Sequence, residues 1–217
     1  MSLLTRLFHF IMLATQKHNI DESHGISHSM NVLFYANQIY QSELFKFPHL
    51  ETQERIIYVS AALHDMADKK YVAENQGIQE IVEFLNESKD EAFTPIAPAE
   101  IDVITTIIQT MSYSKVKKQG FPDLGEYQSA YHIVREADLL TAYDFDRCLI
   151  YNMKQKNGNI LEAIDEAEDL FTKRMFLHNS HGLFLTDYSK QKSLELHSGA
   201  VYRIKFWQQM AGRSYKK

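Results

Sequence analysis

The sequence predicts an all-α fold. Three observations carry this. Prolines and glycines are scarce, at four and eight in 217 residues. Apolar residues recur three or four apart through most of the chain, the spacing of a helix face. Few segments are rich in Val, Ile and Thr with the alternation of a half-buried strand. Helices of this kind bury their apolar stripes against one another around a shared core.

The elements follow in order. Residues 1–18 read as a first, amphipathic helix, because Met1 to Leu13 lacks the basic segment and small-residue cleavage site of a signal peptide. Asp21-Glu22-Ser23 is a turn with capping chemistry, and a helix follows from about Ser27 to Ser42, with Met30, Leu33, Phe34 and Ile39 as its apolar positions. Pro48 breaks the chain. Thr52-Gln53-Glu54-Arg55 opens a helix with a partial cap, and that helix carries His64 and Asp65 near its end. The next spans about Ala73 to Ser88 on a stripe of Ile78, Ile81, Val82 and Leu85. Thr94-Pro95 and Pro98 mark a loop, and Ala99 to Met111 is helical. Ser112 to Gly125 holds two glycines, Pro122 and the cluster Lys115-Val116-Lys117-Lys118, and reads as an exposed loop. A long helix then runs from about Glu126 to Lys156, stopped by Asn157-Gly158-Asn159. Helices at about 160–178 and 187–211 complete one domain over 1–217, its core at about 20–150 with the C-terminal helices packed on it.

Composition narrows the function. The net charge of −5 excludes a general nucleic-acid binder, which carries a basic stripe. No apolar run approaches the roughly 20 residues that span a bilayer, so no membrane partner is expected. Cys148 is the sole cysteine, so no internal disulfide forms, which fits a reducing, cytoplasmic setting. Its apolar surroundings make it a core residue rather than a nucleophile.

The chemistry sits in three segments. His24 and His28 lie four apart and share a face if helical. His64 and Asp65 are adjacent at the end of an apolar run, with Asp68 three further on. Asp138 follows Arg135 by three. His28, His64, Asp65 and Asp138 offer two imidazoles and two carboxylates to one divalent cation. Such a mixed set suits Mn, Co, Ni, Fe or Zn, or Mg, better than calcium, which prefers oxygen cages.

This order resembles the HD-domain phosphohydrolase superfamily. Asp21 to Val32 looks like its first motif, with Asn31 where many members have Arg. Leu63-His64-Asp65-Met66-Ala67-Asp68-Lys69 is similar to the second, and Arg135-Glu136-Ala137-Asp138-Leu139-Leu140-Thr141-Ala142 to the last. The resemblance covers about residues 20–150 and takes in Met111 to Lys115, similar to a Ser-rich turn of small bacterial nucleotide pyrophosphohydrolases and nucleotidases. It implies a metal-dependent hydrolase that cleaves a phosphoester or phosphoanhydride of a small phosphorylated metabolite, a nucleotide foremost, with water as nucleophile. A homodimer is compatible with it. The absence of histidine between Asp65 and His132 argues for one metal and against a cyclic-nucleotide phosphodiesterase.

On that reading Asp68 orients or deprotonates the attacking water, or else caps a helix end. Lys69, as a catalytic cation, and Lys115, on the substrate side, neutralise phosphate oxygens or are solvated surface. His24 supports the metal ligands or donates to phosphate, or is an ordinary residue of a helix start. Arg135 reaches the substrate or pairs structurally with Asp138 or Glu136. Tyr113, Tyr143 and Phe145 wall a base pocket or fill the core. Two rival functions stand beside the enzyme: a metal- and nucleotide-binding sensor of the same fold without turnover, and a helical interaction protein in which the His-Asp pair is structural.

Overall fold

A computed structural model of the chain describes residues 2–87 and 95–212. Ser88, expected to end a helix, and Thr94, expected to mark a loop, lie outside the described residues. Among the described residues the regular elements are all helical, ten α-helices and three 3₁₀ turns, as the apolar spacing requires. The chain divides into two compact units, Met1–Ala137 and Asp138–Lys217.

In the first unit, Ser2 caps α1 (Leu3–Lys17) by accepting a bond from the Thr5 amide at 3.2 Å. Leu7, Ile11 and Ala14, four and three apart, are its buried line. α2 (Ile26–Leu44) departs from expectation. Ile39 of the expected stripe is buried and Leu33 half-buried, but Met30 and Phe34 are exposed. The inward face instead runs through His28, Ser29, Val32, Ala36 and Ile39. Small residues at 29 and 36 let α3 (Glu54–Leu63) lie against α2, and a polar His28 is carried inward with them.

A 3₁₀ turn over Pro48–Gln53 leads into α3. Thr52 bonds its hydroxyl to the His49 carbonyl at 2.8 Å inside that turn, so it does not cap α3. α3 is buried almost all round, from Ile56 to Leu63, between α1, α2 and α5 (Pro98–Thr110). It stops at Leu63. His64 and Asp65 therefore lie just past the helix, in a tight turn closed by the Met66 amide on the Leu63 carbonyl at 3.0 Å and the Asp68 amide on the Asp65 carbonyl at 3.1 Å. α4 (Glu74–Asn86) presses on this turn. A Cβ at Gly77 would stand 2.6 Å from the Ala67 Cα, so only glycine permits the approach.

Pro98 belongs to α5 as its first residue, where its missing N–H costs nothing. The expected loop after it contains a helix, α6 (Tyr113–Gln119), anchored by buried Val116 and ended by Gly120 at φ +77°. α7 (Gln128–Thr141) starts in the first unit, and its residues from Asp138 onward belong to the second.

The helix expected over 126–156 is broken. Asp144 accepts from the Arg147 amide at 3.1 Å and starts α8 (Phe145–Gln155), a capping signal that the apolar pattern masks. Asn157 and Gly158, both at positive φ, separate α8 from α9 (Ile160–Lys173), which Asn159 caps. α10 (Asp187–Met210) closes the second unit. Phe145 and Phe171 meet edge to face at 5.3 Å, and Asp146 on α8 takes bonds from Arg203 at 2.8 Å and Trp207 at 2.7 Å on α10. Tyr143 and Phe145 fill the interior here. Burial pushes the Cys148 thiol up to about 11, so it stays protonated. No helix of the described residues is long and apolar enough to cross a membrane.

Candidate metal centre

His28 reaches the centre from the first turn of α2, and His64 and Asp65 from the turn after α3. Their ligand atoms converge. His28 Nε2 lies 3.0 Å from His64 Nε2, and Asp65 Oδ2 lies 3.1 Å from the first and 3.3 Å from the second. Among the described residues, these three form the one group of His, Cys, Asp or Glu whose ligand atoms all fall within 4.8 Å of one another.

The protons are assigned by elimination. His64 Nδ1 lies 2.9 Å from the Ala61 carbonyl, which can only accept, so Nδ1 carries a hydrogen. Neutral His64 then presents a lone pair at Nε2, aimed at a second ring nitrogen and a carboxylate oxygen. His28 and His64 lie close to Asp65 Oδ2, but this buried oxygen has no hydrogen-bond partner of good geometry. Burial would push the Asp65 carboxyl up. The imidazoles of His64 and His28 beside it outweigh burial and hold it well below the usual carboxylate range. Three electron-rich atoms at this separation repel unless a proton or cation lies among them.

Their spacing fits a cation. Two ligands about 2.1 Å from one ion stand about 3.0 Å apart at a right angle and about 3.4 Å apart at the tetrahedral angle. The observed edges of 3.0, 3.1 and 3.3 Å fall in that interval. The group of His28, His64 and Asp65 could hold a metal ion. The Ala61 carbonyl would then be the partner that fixes the ring of one ligand.

A polar network adjoins the three. The Asp21 carboxylate accepts from the Tyr71 hydroxyl at 2.8 Å and from the Ser23 hydroxyl and amide. Burial raises Asp21, but the bonds from Ser23 and Tyr71 and the nearby His24 hold it below its ordinary value. The oxygens of Ser23 and Tyr71 lie 2.7 and 2.9 Å from His24 Nδ1. His24 Nε2 lies 3.1 Å from Lys70 Nζ, which also pairs with Asp68 Oδ2 at 3.2 Å. The His24 ring centroid is 6.1 Å from that of His28.

The other expected site residues fall in several places. Asp68 ties its own turn together, since Oδ1 accepts from the Lys70 amide at 2.9 Å. Lys69 is exposed. Lys115 bridges α6 to Glu74 of α4 and to the Gln109 carbonyl. Arg135 is buried, paired with Glu136 at 3.1 Å, with its guanidinium over the Phe121 ring at 4.8 Å. Asp138 is the first residue of the second unit, so the three-residue group belongs to the first unit alone. Sequence reasoning missed Lys70 and Tyr71. Each follows the Asp68 turn, and no periodicity signals that this turn folds back onto residues 21–24.

Compared with known proteins, the chain matches no protein-family model, no curated sequence and no solved structure.

Proposed function

We propose that the chain is a metal-dependent phosphohydrolase of the HD-domain kind, acting on a small phosphorylated metabolite such as a nucleotide. The observation that carries the reading is the convergence of His28 Nε2, His64 Nε2 and Asp65 Oδ2 within 3.3 Å of one another, with a buried carboxylate oxygen that has no hydrogen-bond partner of good geometry. A divalent ion held there supplies Lewis acidity to a phosphate oxygen and lowers the pKa of water. His28, His64 and Asp65 hold it, and the Ala61 carbonyl keeps the His64 lone pair directed inward. Asp68 is three residues from Asp65. Its Oδ1 accepts from the Lys70 amide and its Oδ2 pairs with the Lys70 ammonium, and a carboxylate has about four acceptor sites, so it can also orient water. The resemblance of its segment implies a ligand role for Asp138, but the three residues of the first unit carry the proposal.

The test is release of phosphate and pyrophosphate from nucleoside mono-, di- and triphosphates and sugar phosphates. It is run with Mn²⁺, Co²⁺, Ni²⁺ and Mg²⁺ in turn, with Asp65→Ala as control. Metal-dependent release that vanishes in the control is the expected result. Metal binding with no release across the panel would refute the hydrolase and leave the sensor. Asp138→Ala in the same assay tests what the resemblance implies for that residue.

A further inference from the structure

The network around His24 is specific in a way that helix packing does not demand. A lysine ammonium only donates, so His24 Nε2 must accept from Lys70 and its Nδ1 must carry the hydrogen. Ser23 and Tyr71 enforce that arrangement. Both hydroxyls lie within hydrogen-bond reach of the Asp21 carboxylate, so each can give its proton to Asp21 and offer oxygen lone pairs to His24 Nδ1. One imidazole tautomer is thus fixed by three side chains, and the nitrogen it leaves as acceptor faces Lys70. Asp68 holds the same ammonium from another side. Lysine is a flexible point charge, and holding it in one place costs several rotors. Here the holding groups are mostly enclosed, with Asp21 at 8% and His24 at 13% side-chain exposure, while Lys70 itself is 46% exposed. A pinned yet accessible cation is suited to an anion arriving from solvent.

Its location gives the anion a class. Asp68 is three residues from Asp65, with its amide on the Asp65 carbonyl, and His24 is next to His28. We infer that Lys70, fixed by the Asp21–Ser23–Tyr71–His24 relay, binds the phosphate oxygens of the substrate beside the metal ligands. This assigns to Lys70 the part that sequence gives to Lys69. It rests on the phosphohydrolase reading for the substrate class. Asp21, His24 and Tyr71 are positioning residues and Lys70 the binding one. A charge-assisted bond of this kind is the stronger sort of hydrogen bond and is sensitive to placement.

The test uses the full chain loaded with Mn²⁺, with inorganic phosphate and pyrophosphate as probes in calorimetric titration. Lys70→Met is expected to weaken pyrophosphate at least about 10-fold, as loss of a hydrogen bond to a charged group does. Mn²⁺ affinity and melting temperature should stay at the parent values. Lys70→Arg should recover most of the affinity. Tyr71→Phe and His24→Gln should each weaken binding by a smaller factor, of about 3, and raise KM more than they lower kcat wherever turnover is measured. Equal pyrophosphate affinity in Lys70→Met and the parent overturns the inference. So does a loss in Lys69→Met as large as that in Lys70→Met, or a Mn²⁺-loaded parent that binds neither probe. A parent that binds pyrophosphate through Lys70 but hydrolyses nothing sinks the hydrolase and keeps the anion site, so the two failures are separable.

Discussion

In the first unit, His28 and His64 turn ring nitrogens to within 3.0 Å of each other beside a carboxylate. In the second, His178 is more deeply buried than either, at 0% exposure against 2% and 7%, and aromatic rings pack against it. It meets Tyr143 at 5.8 Å and Phe184 at 6.1 Å, edge on. The contrast shows that burial alone does not mark a ligand. Among the described residues, His178 belongs to no group of His, Cys, Asp or Glu whose ligand atoms converge. A buried imidazole whose lone pair converges on a second ring nitrogen and a carboxylate oxygen needs a proton or a cation among them.

Substitutions can break this comparison. The largest effect is expected at Asp65→Ala. It removes the oxygen shared by both imidazoles, and divalent-metal affinity should fall well beyond the 10–100-fold typical of losing an outer-shell partner. His178→Ala should do the reverse. It leaves metal affinity at the parent value and lowers stability by ~2–4 kcal/mol, as other buried large-to-small changes do, which denaturant unfolding reads. If His178→Ala abolished metal binding, the contrast between the two units would fall.

A middle-sized effect is expected at Gly77→Ala. Its Cβ would sit 2.6 Å from the Ala67 Cα and 2.9 Å from the Met66 carbonyl, backbone that cannot swing aside. Displacing α4 from the turn that carries His64 and Asp65 should cost ~1–3 kcal/mol and weaken metal binding with it. Stability loss with metal affinity untouched would show that the turn holds its shape without α4.

The smallest effect is electrostatic. Burial raises Glu80, but bonds from His18 at 2.7 Å, Lys17 at 2.9 Å and Gln76 at 3.0 Å hold it down at about 2. A carboxyl lower in the folded than in the unfolded chain stabilises above its unfolded value of 4.5, and that contribution fades as pH falls from there through about 2. Glu80→Gln should therefore be less stable than the parent at pH 7, with the gap closing as pH drops through that window. A gap independent of pH would assign Glu80 to packing instead.

Much of this molecule is legible in its sequence, and the misses share a cause. α1, α4, α5, α9 and α10 announce themselves by apolar spacing and turn residues, and Asn157-Gly158-Asn159 stops α8 where the left-handed backbone demands it. The single helix read over 126–156 fails because the apolar pattern continues across the Asp144 cap. α6 is hidden because one buried residue, Val116, anchors it. The stripe on α2 goes to the wrong face because Met30 and Phe34 outrank Ser29 and Ala36 in hydrophobicity, whereas packing against α3 selects for small size. The grouping of His28 with His64 and Asp65 is visible through motif order. The Lys70–His24–Tyr71–Asp21 network is not, since its members are joined by a fold-back between residues 46 to 50 positions apart.

The central claim is that His28, His64 and Asp65 together hold a divalent cation. The most direct measurement is titration of metal-stripped protein with Co²⁺, followed by visible absorption, for the parent and for His28→Ala, His64→Ala and Asp65→Ala. The account predicts one ion per chain in the parent, with d–d bands of nitrogen and oxygen ligation, and loss of that spectrum in each variant. A parent that takes up no ion, or variants that keep the same spectrum and stoichiometry, would contradict it.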